Sequence, residues 1–307
     1  MVTEKVPPLV VIVGPTAAGK TSMSLALAQA LNGEIVSADS RLFYRGMDIG
    51  TAKPTLAERQ IVRHHLIDLC QPDQTLTLGK YQDMAFAAIG DIQRRRKLPL
   101  LVGGTGQYVM AVVEGWGIPR VPPQFRLRKA LAKLGQEELG RWLSALDPAR
   151  AETLDFRNVR RVIRALEVTL TAGVPISELQ VKHPPPYDIG IVGLSCEREW
   201  LYERIDSRVD QMIENGLLDE VRGLIERGYS PKLPAMSGLG YRQLAAHLKG
   251  EMSLEEAVER IKFETHRFAR QQRTWFHPDD ARIHWFEAAD ENLISKVFIY
   301  LHENLLR

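Results

Sequence analysis

The run Gly14-Pro15-Thr16-Ala17-Ala18-Gly19-Lys20-Thr21 fits the P-loop pattern G-x-x-x-x-G-K-[ST]. It follows the β-branched stretch 9–13 and leads into a segment where Leu25, Leu27, Ala28 and Leu31 recur at helical spacing. Strand, loop and helix in that order are the context the motif requires. The glycines let the backbone bend until successive N–H groups point inward, and the helix start adds partial positive charge. Lys20 supplies a full positive charge and the Thr21 hydroxyl a ligand for Mg²⁺. All eight residues are therefore candidate binders of a di- or triphosphate, and the bland alternative is a glycine-rich turn that merely closes tightly.

The same cradle serves kinases, ATPases and any enzyme whose substrate carries a diphosphate, so other residues must decide the reaction. Asp39 stands at the carboxyl end of a second buried strand at 34–38 and would project into the ligand crevice of an open α/β sheet. It could hold magnesium through water, accept a proton from a nucleophile, or simply cap the turn before Ser40-Arg41. A third strand at 98–102 ends in Gly103-Gly104-Thr105-Gly106 instead of a carboxylate. That absence counts against a mechanical ATPase.

Several elements must position these groups. A helix at 79–96 separates the second and third strands, and the alternation argues for a parallel sheet wrapped by helices. From about residue 115 the strand signal stops, and helices are expected at 125–134, 136–146 and 158–172. The run Pro184-Pro185-Pro186 returns the chain to a strand-like 189–194, which is expected to rejoin the sheet. Helices follow at 198–215, 217–227, 238–248 and 254–275, then a strand at 282–286 and a final helix. The expected organisation is an α/β P-loop core at 1–114 and 187–307, with an all-helical insertion domain at 115–186.

Composition sets limits on the whole. The 307 residues are 45% hydrophobic and 25% charged, ordinary globular values that exclude disordered, collagenous and coiled-coil classes. Apolar runs are too short for a membrane helix, no secretory pattern opens the chain, and Cys70 and Cys196 lie too far apart for a zinc or disulfide motif. A reduced cytoplasmic setting, with no membrane partner, is the expectation. Net charge is only +2, so a polyanion site must come from local segregation. Between 120 and 170 eleven Lys/Arg face six Asp/Glu, and between 260 and 277 five face one. On the second segment Arg260, Arg267, Arg270 and Thr274 share a helix face, with Val258, Ile261, Phe268 and Trp275 as apolar contacts elsewhere. Each cluster could grip phosphates or be a solvated face. Arg94-Arg95-Arg96-Lys97 is assigned to the second case, as cations complementing a helix C-terminus. His64 and His65 lack metal-ligand spacing and are expected to pack or hydrogen-bond. Trp275, Phe276, Trp285 and Phe286 are expected in the core more than as base-stacking platforms.

Taken together, these segments resemble the tRNA dimethylallyltransferase (isopentenyltransferase) family of P-loop prenyltransferases. The matching pieces are the P-loop and Asp39-Ser40-Arg41-Leu42-Phe43-Tyr44-Arg45-Gly46-Met47-Asp48-Ile49-Gly50-Thr51-Ala52-Lys53-Pro54. Further matches are His64-His65-Leu66-Ile67-Asp68, Val102-Gly103-Gly104-Thr105-Gly106, Arg164-Ala165-Leu166-Glu167, Gly240-Tyr241-Arg242-Gln243 and Thr274-Trp275-Phe276, in family order to about residue 277. Gln107 departs from the family's usual apolar residue, Gln271-Gln272 stands where Arg-Gln is usual before Thr-Trp-Phe, and no zinc finger follows residue 277.

The resemblance implies attack of the N6 amine of the adenine 3′ of the anticodon (position 37) on C1 of dimethylallyl diphosphate, with Mg²⁺ as cofactor. It implies Asp39 as general base, Lys20 and Thr21 as diphosphate and magnesium contacts, Thr105 in the channel where the substrates meet, and Arg208 as a diphosphate clamp. The residue-level alternative for Arg208 is a solvated helix face. By the same resemblance the tRNA anticodon stem-loop is met by Asp39, Ser40, Arg41, Leu42 and Thr105. It is also met by Arg126, by Arg160-Arg161-Val162-Ile163-Arg164, and by Arg270-Gln271-Gln272-Arg273-Thr274-Trp275-Phe276-His277. Gly103 and Gly104 would let backbone approach the substrates, and a monomer is expected. Two rivals stand beside this: a P-loop small-molecule kinase using ATP, and a non-catalytic RNA-binding protein that keeps the nucleotide loop as a switch.

Overall fold

A computed structural model describes residues 6–307. Its strands are β1 (Pro8–Val13), β2 (Gly33–Ser37), β3 (His64–His65), β4 (Leu98–Val102), β5 (Asp188–Ser195) and β6 (Ile283–Glu287). They form one six-stranded sheet in the order β3-β2-β4-β1-β5-β6, parallel throughout. Strand β1 is fully buried from Leu9 to Val13, as expected for a central parallel strand covered on both faces. The predicted return of the chain is present: β5 pairs with β1 from Pro8↔Asp188 to Val13↔Gly193.

The helices are α1 (Lys20–Ala30), α2 (Leu56–Ile61), α3 (Leu78–Arg94), α4 (Gly106–Val113), α5 (Phe125–Leu131), α6 (Gln136–Leu146), α7 (Pro148–Thr153), α8 (Val159–Ala172) and α9 (Ile176–Leu179). After β5 come α10 (Arg198–Glu214), α11 (Leu217–Glu226), α12 (Tyr241–Leu248), α13 (Leu254–Gln272) and α14 (Leu293–Asn304). Alternate residues of the central strands, Val10, Ile12, Leu100, Val192 and Leu194, share one core with Met23 and Leu27 of α1 and Val297 and Leu301 of α14. A second core joins α10–α13 through Ile205, Val209, Leu217, Val221, Leu244 and Ile261, and takes in Ala17 and Met47 from the loops above the sheet. No helix among the described residues is long and apolar enough to cross a membrane.

The chain divides into two compact units, Met1–Val112 with Pro186–Arg307, and Val113–Pro185. The second is helical, with a core of Leu131, Leu139, Leu143, Val162, Leu166 and Ile176. At its centre lies Glu167, fully buried, which accepts the Gln124 N–H at 2.6 Å, Arg128 at 2.7 and 2.8 Å, and Arg164 at 2.6 Å. Burial pushes this carboxyl up, but the two guanidinium groups and the amide outweigh it and hold it at about 2. Two of the eleven cations counted from sequence are thus turned inward, a correction to the simple charge count.

Candidate active site

Helix α1 begins at Lys20, after Gly19 in the left-handed region at φ 92. Among the described residues no backbone carbonyl accepts the N–H groups of Lys20, Thr21 or Ser22, the unpaired donors of a helix's first turn. Lys20 lies under this loop, its Nζ donating to the Gly14 and Pro15 carbonyls at 3.0 and 2.6 Å. Burial lowers its ammonium to about 8, opposed by the negative charge of Asp39 and aided by the positive charge of Arg208. Ala17 sits at φ 65, a left-handed conformation uncommon for a residue with a Cβ, and its carbonyl accepts Arg204 Nε at 3.0 Å. The Thr21 side chain is exposed on the first turn, where a cation beside a diphosphate could reach it.

Asp39 follows the end of β2 by two residues, at the carboxyl edge of the sheet. One of its oxygens, Oδ1, accepts the Arg41 N–H at 2.9 Å, so the turn-capping reading is realised in part. The other, Oδ2, makes no hydrogen bond among the described residues. Asp39, Ser40, Arg41, Thr105 and Arg208 all line one cavity of about 590 Å³ with the P-loop residues Thr16 and Ala17. Apolar side chains also line it, among them Ile205, Val209 and Met212 of α10, Leu217, Ile261 and Phe268, beside the charged Arg242, Glu264 and Arg267. Leu42 is not part of this lining. Arg208 is half-buried there, its guanidinium pushed down by burial and held charged by Asp39, which removes the solvated-face alternative.

The segment 39–54 is irregular and is pinned by side chains. Lys53 Nζ is fully buried and donates to the Tyr44 carbonyl at 2.6 Å, Asp48 at 2.5 Å and Asp68 at 2.7 Å. Glu220 of α11 accepts the N–H groups of Asp48, Ile49 and Gly50 at 2.8, 2.8 and 3.2 Å, and the Tyr241 hydroxyl at 2.6 Å. Arg41 is held by the carbonyls of Pro234 and Ala235, both at 3.2 Å. The sequence reading missed Glu220 and gave no role to Gly240-Tyr241-Arg242, which lines the cavity. Its family match was the only signal, because α11 and α12 approach this loop only through the fold.

The glycines after β4 make room for tight packing within the protein. A Cβ on Gly103 would lie 2.4 Å from the Ala38 carbonyl oxygen, and one on Gly104 2.3 Å from Gln272 Nε2. They permit close approach between parts of the protein itself.

The residues expected to meet nucleic acid are sorted by burial. Arg126, Arg160 and Arg161 are exposed with no side-chain partner among the described residues, as a phosphate-gripping face requires. Val162 is buried in the helical core, Ile163 half-buried against it, and Arg164 committed to Glu167 and the Val121 carbonyl, so these three side chains do not form that face. Arg273, Thr274, Trp275 and His277 are exposed, and Gln271 faces the cavity. Arg270 is exposed and donates to the Tyr202 hydroxyl. Phe276 is buried, in line with the core assignment, whereas Trp275 is 40% exposed and departs from it; Phe268 is 39% exposed. Gln272 is buried and bonds only to the loops of this unit.

His64 Nδ1 meets the Val62 carbonyl at 2.8 Å and His65 Nε2 meets Glu34 at 2.7 Å, the hydrogen-bonding roles expected. Arg95 and Lys97 are not mere helix-end cations, because they pair with the buried Glu34 at 2.5 and 3.0 Å.

A parallel sheet with a P-loop after its central strand and a carboxylate over the next strand's end defines a P-loop α/β enzyme core. Residues 42–279 match the IPP transferase family model, and the chain belongs to that family. It is 57% identical over 273 residues to the tRNA dimethylallyltransferase of Roseiflexus castenholzii, covering 88% of this chain and 89% of that one. It is 52% identical over 295 residues to the tRNA dimethylallyltransferase of Herpetosiphon aurantiacus, covering 95% and 93%. Among solved structures, the tRNA isopentenylpyrophosphate transferase of Bacillus halodurans is similar with TM-score 0.74 at 40% identity, covering 97% of each chain. A eukaryotic dimethylallyltransferase, described as acting on tRNA, is similar with TM-score 0.86 at 27% identity, covering 98% of this chain and 79% of that one.

Proposed function

We propose that this enzyme transfers the dimethylallyl group of dimethylallyl diphosphate to the N6 amine of the adenine 3′-adjacent to the anticodon, position 37, of tRNAs. The products are N6-(dimethylallyl)adenosine and diphosphate. The observation that carries the reading is the shared cavity: Asp39, with one carboxylate oxygen unpaired, faces the same space as Arg208, Thr105 and the P-loop. As the amine attacks C1, the C1–O bond breaks and its electron pair leaves on the diphosphate, so negative charge grows where Arg208, Lys20 and the loop N–H groups lie. The amine sheds a proton as the C–N bond forms, and Asp39 Oδ2 is the acceptor. The apolar side chains of the lining, Ile205, Val209, Met212 and Phe268 among them, would shield the allylic carbon from water. The adenine reaches Asp39 only if it leaves its stack, which an anticodon loop allows more readily than a duplex.

The Thr21 hydroxyl suits Mg²⁺, a hard cation that takes oxygen donors and keeps several waters. No group of three or more His, Cys, Asp or Glu among the described residues could form a protein cage, so the diphosphate oxygens themselves would complete the shell. Bound there, the ion would neutralise charge on the leaving group.

The names of the relatives favour this reading over a small-molecule kinase. The test is transfer of label from dimethylallyl diphosphate to bulk tRNA, beside ATP turnover with small acceptors. Prenylated tRNA is the expected product; ATP-dependent phosphorylation without prenyl transfer would overturn the reading.

A further inference from the structure

Gln272, the last residue of α13, is 6% exposed, and both ends of its amide are used. Oε1 accepts the Thr16 N–H of the P-loop at 2.8 Å, and Nε2 donates to the Gly104 carbonyl at 2.9 Å. One side chain therefore bridges the loop after β1 and the loop after β4. Both loops contribute to the cavity, through Thr16 and Ala17 on one side and Thr105 on the other.

The amide chemistry is specific. The bridge needs an acceptor toward an N–H and a donor toward a carbonyl, in one plane and at full burial. Glutamate lacks the donor, lysine and arginine lack the acceptor, and a buried half-made pair is costly. The fit is reciprocal, since a Cβ on Gly104 would stand 2.3 Å from Nε2. Its neighbour Gln271 lines the cavity, whereas Gln272 is not among the lining residues.

We propose that Gln272 is a positioning residue for the diphosphate loop: by tying Thr16 to Gly104 it holds the P-loop and the Thr105 loop in register around the leaving group. It does so without touching tRNA. This rests on the prenyl-transfer reading only for its kinetic consequence, because misplacing a reacting group by a fraction of an ångström slows group transfer. The static part, an aligned diphosphate cradle, does not depend on it.

The test uses full-length Gln272→Glu and, from the other side of the contact, Gly104→Ala, with thermal melts to register folding. Inorganic diphosphate affinity is measured by calorimetry, tRNA affinity by filter binding, and kcat and KM for dimethylallyl diphosphate by initial rates. The expected result is a loss of about tenfold or more in kcat/KM and weaker diphosphate binding in both variants, with tRNA affinity within about twofold of the parent. Gln272→Glu should also recover relative to the parent as pH falls, because a protonated carboxyl regains the donor to Gly104. A merely structural loss would not show that pH-dependent recovery. Weakened tRNA binding with unchanged diphosphate affinity would overturn the proposal and make Gln272 a tRNA contact. Unchanged values throughout would equally overturn it. Should the parent bind diphosphate yet transfer no prenyl group, the function reading fails, while weaker diphosphate binding by the variants would still support the bridge.

Discussion

Asp39 lines the same cavity as Arg208 and uses only half of its carboxylate locally: Oδ1 closes a turn on the Arg41 N–H at 2.9 Å, and Oδ2 has no hydrogen-bond partner among the described residues. An asparagine could keep that turn but not the unpartnered carboxylate oxygen. Asp39→Asn is therefore expected to fold normally and bind tRNA within about twofold of the parent, while single-turnover alkylation falls about 10²-fold or more. Rapid-quench measurement with saturating substrates checks it, and an undiminished rate would remove Asp39 as the base.

Lys20 gives a pH dependence with a definite sign. Its folded value of about 8 lies below the ordinary 10.5, so the free enzyme loses this positive charge as pH rises through about 8. The kcat/KM for the diphosphate substrate should fall along that limb, whereas kcat should hold to higher pH because bound diphosphate favours the ammonium form. Lys20→Arg should abolish the limb below pH 10 at a lower overall rate. A flat kcat/KM from pH 7 to 9.5 in the parent would contradict the placement.

The helical unit separates two kinds of arginine. Charge reversal at the exposed Arg160 and Arg161 should weaken tRNA binding and flatten its dependence on salt. Arg164→Ala should instead lower the melting temperature, since it strips a partner from the fully buried Glu167, and leave the salt slope nearly unchanged. Filter binding across a salt series, beside thermal melts, distinguishes the two.

Lys53 holds the 39–54 segment from inside. Lys53→Met should cost about 1.5–3 kcal/mol by removing charged hydrogen bonds to Asp48 and Asp68, although Asp68 retains Arg59 at 2.7 Å. Denaturant unfolding measures it; a change under 0.5 kcal/mol would mean the segment is held elsewhere.

Long periodic or strongly apolar pieces were legible in the sequence. Strand β4 and helix α6 have the expected bounds, and the other long elements differ by a few residues at their ends. The two-residue β3, the short helices α2, α7 and α9, and the apolar α4 escaped notice, because a turn or two of helix carries too little periodicity to rise above a loop. Gln272 was assigned to the nucleic-acid contacts by family resemblance, as part of the stretch 270–277. Only the position of α13 beside the P-loop turns it inward.

Local order along the chain determined the chemistry available here: a phosphate cradle needs consecutive residues, and Gly14 to Thr21 are consecutive, with Asp39 at a strand's end. Tertiary structure decided which charges remain free to act. Arg128, Arg164, Arg95 and Lys97 are cations like any others in the sequence, yet each is committed to Glu167 or Glu34, while Arg208 is brought across to Asp39. A side chain's partner depends on what burial places within about 3 Å of it, and residues far apart in the chain supply those partners.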